Sequence, residues 1–404
     1  METIARMKNT VQEYQWGSRT FIAELLGQPV PSERPMAELW LGAHPKAPSR
    51  VEVDGRWVSL LELIEQRPAQ VLGEAVAARF GHQLPYLFKV LAAEQPLSIQ
   101  AHPDLAQARE GFARENRLGI ALDDPRRNYR DANHKPELIC ALTDFWALKG
   151  FRTVPEILEN LSPLDDPRLL PELSQLRFAP DGEGLKRFFG ALMTLEEARR
   201  ARVVSAAVDH ARQRPADDAV GGWVCRLAEA YPNDIGVLAP LFMNLVCLAP
   251  GEAMFLEAGQ LHAYLSGNGI ELMANSDNVL RGGLTPKHID VPELLRVLRF
   301  TTGPPHVLHP EAAAPCEAVY RQPAREFALS VITLEKGRPL VRAGRGVEIL
   351  LCLRGAAEVR DDRGGRLALS RGQSLLVPAA VAQLSLSGDA VLYSAHMPHA
   401  GENA

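Results

Sequence analysis

At 404 residues the chain exceeds what one compact core organises at roughly 150 residues per domain, so two or three domains are expected. An apolar fraction of 46% and a charged fraction of 23% are globular values, which exclude a disordered chain, a collagen-like repeat and a disulfide miniprotein. The net charge of -5 advertises no basic face to nucleic acid or anionic lipid, and the five cysteines, odd in number and never in a CxxC pair, read as reduced core residues.

The opening METIARMKNTVQEYQWG lacks the apolar region of a signal peptide, and no run approaches the ~20 apolar residues of a membrane span, so a cytoplasmic protein is expected. Up to about residue 150, short apolar stretches broken by Pro and Gly predict strands: AELWLGAHPKAPS, LPYLFKVLAA and QPLSIQAHPD. Within this region DLAQAREGFARENRLG predicts a helix that opens on Asp104 as N-cap. Near Val154 the texture turns helical, with VPEILENL, EGLKRFFGALM and TLEEARRARVVSAAVDHARQR. Thr194 and Glu197 have capping-box spacing, Val204, Val208 and Ala211 mark one apolar face, and Pro215 with Gly221-Gly222 is expected to close the block. Residues 151–238 are therefore read as a helical insert within a β unit made of 1–150 and 239–322. From 323 to 404 the runs VEILLCLRG, AAEVR, RLALS, QSLLVPA, AQLSLSG and AVLYSA, divided by DDRGG, SRG and SGD, predict a second β unit.

GEAMFLEAGQLHAYLS places Gly251, Gly259 and His262 at the spacing of the second metal motif of cupins, which are double-stranded β-helix (jelly-roll) barrels. Glu257 and Ser266 stand where cupins usually have Pro and Asn. The tail repeats the frame from Gly372, with Gln383 where the histidine would fall, and so resembles a second cupin-like barrel without metal ligands. The fold class expected is mainly β with an α insert: two cupin-like barrels and a helical domain. Gln100 and His102, two residues apart, face one side of a strand. His134 and Glu137 in NYRDANHKPEL, with His262, bring the N and O donors to a number sufficient for a zinc-type site with an open position. The absence of a Cys ligand argues against a closed structural site. The remaining histidines are read as surface or core residues.

QEYQWGS, AELWLGAHPKAPS, LSIQAHPD, YRDANHKPE and HAYLSGNGIELMANSDNVLRGGLTPKHID, in this order along the chain, closely resemble type I mannose-6-phosphate isomerase over nearly the whole chain. The resemblance implies one Zn2+ per chain and interconversion of mannose 6-phosphate and fructose 6-phosphate. It places the zinc ligands on Gln100, His102, Glu137 and His262, leaving His134 a neighbour. It places an active-site arginine on Arg281 and phosphate contacts on Ser98, Lys89, Arg281 and Lys287. Arg281-Gly282-Gly283 departs from the family's usual Arg-Ala-Gly, a change that loosens the backbone without removing the arginine.

Isomerisation by proton transfer passes through a cis-enediol and needs a base, an acid and a stabiliser of negative charge. Lys135, two residues from Glu137, is expected to face the metal, where a dication lowers an ammonium pKa. Glu271 is the candidate carboxylate base and Arg281 the guanidinium for the enediolate or the phosphate. The partner expected is a hexose 6-phosphate, with no nucleic acid or membrane, and the chain is read as a monomer. A sugar-phosphate sensor, a zinc hydrolase and an isomerase of another sugar are the rival readings. Lys135, Glu271 and Arg281 together disfavour the sensor, and the cations Lys89, Arg281 and Lys287 disfavour the hydrolase.

Overall fold

A computed structural model describes residues 2–166 and 168–399. The last five positions of the expected C-terminal unit and one position of the helical insert fall outside that description. The strands form two large antiparallel sheet systems, one carrying the N-terminal half and the stretch after the helices, the other the C-terminal region. Both curl in jelly-roll fashion, and neither closes into a continuous hydrogen-bonded barrel.

Strand Tyr86–Ala93 is buried at every position because both of its faces are covered. Tyr86, Phe88, Val90 and Ala92 pack toward the C-terminal unit, in one core with Leu329, Ile349 and Leu351. The alternate residues Leu87, Lys89 and Leu91 point into the N-terminal unit, as the period of two requires. Its neighbours are Glu38–Leu41 on one side and the long strand His262–Ala274 on the other.

The long strand organises the site. Its first half pairs with Ile99–Ala101 and Phe145–Phe151, and its second half with Tyr86–Ala93 and Glu137–Ala141. A register shift between Tyr264 and Ser266 separates the halves. Before it, Tyr264 shares the interior with Phe145 and Ala147, while Ala263 and Leu265 pack on the helices. After it Ile270 and Leu272 face outward to the C-terminal unit, and Glu271 and Met273 face inward. The bulge therefore lets His262 and Glu271, an odd number of residues apart, point to the same side. Gly267 sits at this bend with φ +121°, and a Cβ there would lie 2.5 Å from the Asp144 carbonyl oxygen.

Helices Val154–Leu161, Glu172–Phe178, Gly182–Met193, Glu197–Ala211 and Ala219–Ala230 occupy the stretch read as the insert. Their apolar faces share one core with Ile99, Ala101, Leu148, Ala263 and Leu265, so they cover the outer side of the strands that carry the site. Val204, Val208 and Ala211 are buried as the periodicity predicts. The expected capping box is not formed. The Thr194 hydroxyl donates 2.9 Å back to the Gly190 carbonyl and ends the preceding helix, and Glu197 opens the next one without a side-chain cap. Gly221-Gly222 does not terminate helical structure either. Asp218 accepts from the Val220 and Gly221 N–H groups, and the helix runs through the pair.

Asp104 forms the expected N-cap, as a full capping box with Gln107. Three short helices, Leu60–Gln66, Pro68–Leu72 and Glu74–Arg79, lie in a region read only as strands. Four of the six runs expected as separate strands in the tail fuse pairwise into two long bent ones, Glu348–Asp361 and Gln383–His396, while Arg366–Ser370 and Ser374–Val377 stay separate. The interior of the C-terminal unit is filled by Leu350, Val359, Leu375, Leu384 and Leu392. Ala5–Lys8 pairs with Ser374–Val377, so the opening of the chain joins the C-terminal sheet by hydrogen bonding. Cys247 is exposed, against the expectation of a core residue; Cys140 and Cys352 are buried. Among the described residues no helix is long and apolar enough to cross a membrane.

Candidate metal centre and active site

Three residues converge on the interior of the N-terminal unit. His262 is the first residue of its long strand, placed there by a turn in which Gly259 has φ +74° and a Cβ would meet the Val297 carbonyl oxygen at 2.8 Å. His102 follows Ile99–Ala101, and Glu137 opens Glu137–Ala141. The Nε2 atoms of His102 and His262 each lie 3.4 Å from a different oxygen of Glu137. One potential ligand atom from each residue falls within 4.8 Å of the others.

The second ring nitrogens settle the tautomers. His102 Nδ1 lies 2.7 Å from the Asn278 carbonyl oxygen and His262 Nδ1 2.9 Å from that of Gln260. A carbonyl only accepts, so each Nδ1 carries the proton and each Nε2 presents a lone pair inward. Among the described residues, His102 Nε2, His262 Nε2 and Glu137 Oε2 are buried without a hydrogen-bond partner. Three orphaned acceptors facing one point are costly unless a cation satisfies them. Burial, with the Lys135 ammonium beside it, pushes His102 down to about 4, which keeps the imidazole neutral and able to ligate. Burial alone would raise the Glu137 pKa, but Lys135 and His102 outweigh it and hold the carboxyl ionised. The residues present thus fit a divalent metal.

Gln100 pairs in register with His262 on one side and Arg281 on the other, which puts all three on the same interior face. Lys135 Nζ lies 2.9 Å from Glu137 Oε1. Lys135 precedes the strand rather than lying on it, so this contact and not strand alternation brings it to the metal side. Glu271 is buried on the same interior, with its carboxylate 2.8 Å from Lys89 Nζ. Burial raises its pKa; Lys89 opposes this, and the charges of Glu137 and Glu38 add to the rise.

Lys89, expected among the phosphate contacts, has carboxylate partners. Its ammonium is enclosed by Glu271 at 2.8 Å and Glu38 at 3.6 Å. Burial disfavours the charge, yet the two carboxylates prevail and hold the pKa above its ordinary value. An ammonium already matched by two carboxylates has little to offer a phosphate. Arg281 and Lys287 do form an electropositive patch, joined by Arg130. Burial and then Arg130 lower the Arg281 pKa, while partial desolvation followed by the charges of Arg281 and Arg130 lowers that of Lys287. Three cations with no carboxylate among those influences suit an anion. Ser98 is half-buried just before Ile99–Ala101. His134 turns away from the metal cluster and lies 2.8 Å from Glu326 of the C-terminal unit.

Sequence reasoning missed four contributors. Glu38 shares Lys89, and its signal was alternation with Trp40 on Glu38–Leu41. Arg130 lay inside the YRDANHKPE motif. Tyr264, two residues after His262 and on its face, is fully buried. The Asn278 carbonyl, which orients His102, had no sequence signal because its role is carried by the backbone.

A family model for the catalytic domain of type I phosphomannose isomerase matches residues 4–154, and one for that family's helical insertion domain matches residues 169–243. Mannose-6-phosphate isomerase of Escherichia coli is 42% identical over 95% of this chain and 97% of its own length. That of Mus musculus is 35% identical over 92% of this chain and 94% of its own. A zinc-bound mannose 6-phosphate isomerase structure superposes with a TM-score of 0.91 at 40% identity, covering 98% of this chain and 100% of that one. A variant of the Salmonella typhimurium phosphomannose isomerase superposes with a TM-score of 0.92 at 40% identity, over 98% of this chain and 99% of that one. Near-full-length identity at this level, on one shared fold, places the chain in the type I mannose-6-phosphate isomerase family.

Proposed function

We propose that this chain is a zinc-dependent aldose–ketose isomerase that interconverts mannose 6-phosphate and fructose 6-phosphate through a cis-enediol. The observation that carries the reading is the orphaned trio His102, Glu137 and His262, with Lys135 against one glutamate oxygen. Gln100, on the same interior face, completes the proposed ligand set. A zinc ion held there supplies Lewis acidity toward the sugar's carbonyl and hydroxyl oxygens.

The protein groups do the rest. Arg130 and Lys287 hold the phosphate, with Ser98 contributing a hydroxyl and the charge of Arg281 beside them. This anchors the sugar so that C1 and C2 lie toward the interior. Lys135, held against Glu137, takes the C2 proton as the neutral amine and returns a proton to C1 from the ammonium so formed. Glu271, raised by burial and steadied by Lys89, is the second proton-transfer group. Arg281, beside Gln100 in register, is placed to stabilise the oxyanion that develops on deprotonation at C2. Lys89 is assigned the support of Glu271 in place of the phosphate contact.

Two assays test the reading. Fructose 6-phosphate formation from mannose 6-phosphate should disappear on chelation and return with zinc. In D2O the product should carry deuterium at C1. A zinc-loaded protein without turnover would overturn the isomerase assignment, and turnover without solvent deuterium would overturn the proton-transfer route.

A further inference from the structure

A cavity of about 370 Å3 opens beside the metal-bearing turn, walled by Lys149, Glu257, Gln260, Arg299, Thr301 and Thr302 among others. None of the proposed metal ligands, proton-transfer groups or phosphate contacts lines it, although Gln260, whose carbonyl orients His262, does, and Lys149 pairs in register with His262. We propose that this cavity is a second binding site, for a phosphate-type oxyanion such as the phosphate group of a small metabolite.

Lys149 is the anchor. It sits on Phe145–Phe151 at a position whose neighbours Phe145 and Ala147 face the interior of the sheet, and it is only 5% exposed. Among the described residues its ammonium has neither a hydrogen bond nor an ion pair, an arrangement that is costly for a buried cation. The nearest acid in the wall, Glu257, is engaged by Arg299 at 3.0 Å. The three charged walls therefore leave one positive charge without a partner.

The other donors suit a tetrahedral anion with several acceptor oxygens. Thr301, Thr302, Gln260 and Arg299, which carry hydroxyl, amide and guanidinium donors, line the cavity, Arg299 with one nitrogen held by Glu257. The walls are fixed by Asn244, whose amide spans the carbonyls of Lys149, Phe151 and Gly303 at 2.8–3.1 Å. The volume lies within the range that holds a small ligand.

The test uses tungstate as the oxyanion and does not depend on the isomerase activity. Crystals of the zinc-loaded protein soaked in tungstate should show anomalous density within hydrogen-bond reach of Lys149 Nζ. Density at Arg281 and Lys287 alone, or none, would overturn the proposal. In solution, calorimetric titration should find one fewer tungstate per chain bound by Lys149→Met than by the wild type, with Lys149→Arg retaining it. Equal stoichiometry in the methionine variant would also overturn the site.

Discussion

Replacing Lys89 by methionine removes the one ammonium between two buried carboxylates, with Glu271 at 2.8 Å and Glu38 at 3.6 Å. Breaking a buried ion pair from one side costs about 3–5 kcal/mol. At an m-value of about 3 kcal/mol per molar urea, that lowers the unfolding midpoint by about 1–1.7 M. The deficit should depend on pH, with a sign set by Glu271. Its pKa is already raised by burial and loses its nearest cation in the variant, so it rises further. The folded state then binds more protons than the unfolded state between the unfolded carboxyl value near ~4.3 and the raised folded one. Stability of the variant relative to wild type must fall as pH rises through that window and recover as pH drops below it. Urea titrations at pH 5 and pH 8, read by tryptophan fluorescence, measure this directly. A second variant, Lys89→Met with Glu271→Gln, should recover part of the loss at pH 8. A midpoint within about 0.3 M of wild type at pH 8, or an equal deficit at both pH values, would refute the idea that Lys89 neutralises these carboxylates.

His262→Ala should lose metal and turnover together, with zinc affinity falling by more than the ~100-fold typical of an outer-shell change; elemental analysis after dialysis measures it. Lys135→Met should keep zinc and lose about 10²–10⁴-fold in kcat, and retained turnover would remove its proton-transfer role. Arg130→Met should raise KM for mannose 6-phosphate at least as much as it lowers kcat, because its place is beside Arg281 and Lys287; an unchanged KM would detach it from the phosphate. Gly267→Ala should destabilise by about 1–3 kcal/mol from backbone strain alone, with more from the 2.5 Å approach to the Asp144 carbonyl. A wild-type melting temperature would show that the bulge tolerates a side chain.

Much of the chemistry was legible locally. A histidine after a glycine turn, a Gln-x-His pair and a Glu inside a long motif are patterns that spacing alone exposes. The residues named as metal donors include the three that the fold brings within 4.8 Å. The apolar face of Glu197–Ala211 and the cap at Asp104 were equally local. Misreadings fell where one local signal had two structural uses. Thr194 can cap the helix after it or bond back to the helix before it, and the second geometry prevails. A Gly-Gly pair can end a helix or let it pass close to a neighbour. Gly221 takes the second course, with a Cβ position 3.1 Å from the Ala211 carbonyl oxygen.

What the amino-acid order determined by itself was the inventory: the division into β and helical stretches, which side chains can ligate a divalent ion, and the family that such motifs define. Tertiary structure decided the company each group keeps. Lys89 reads as a free cation in one dimension, and only cross-strand pairing sets it between Glu271 and Glu38. Strand alternation alone would turn His262 and Glu271 to opposite faces; the bulge after Tyr264 turns them to one. Local propensity acts over a few residues, whereas register and enclosure arise from contacts between segments far apart in the chain, and it is those contacts that set charge, burial and direction at the site.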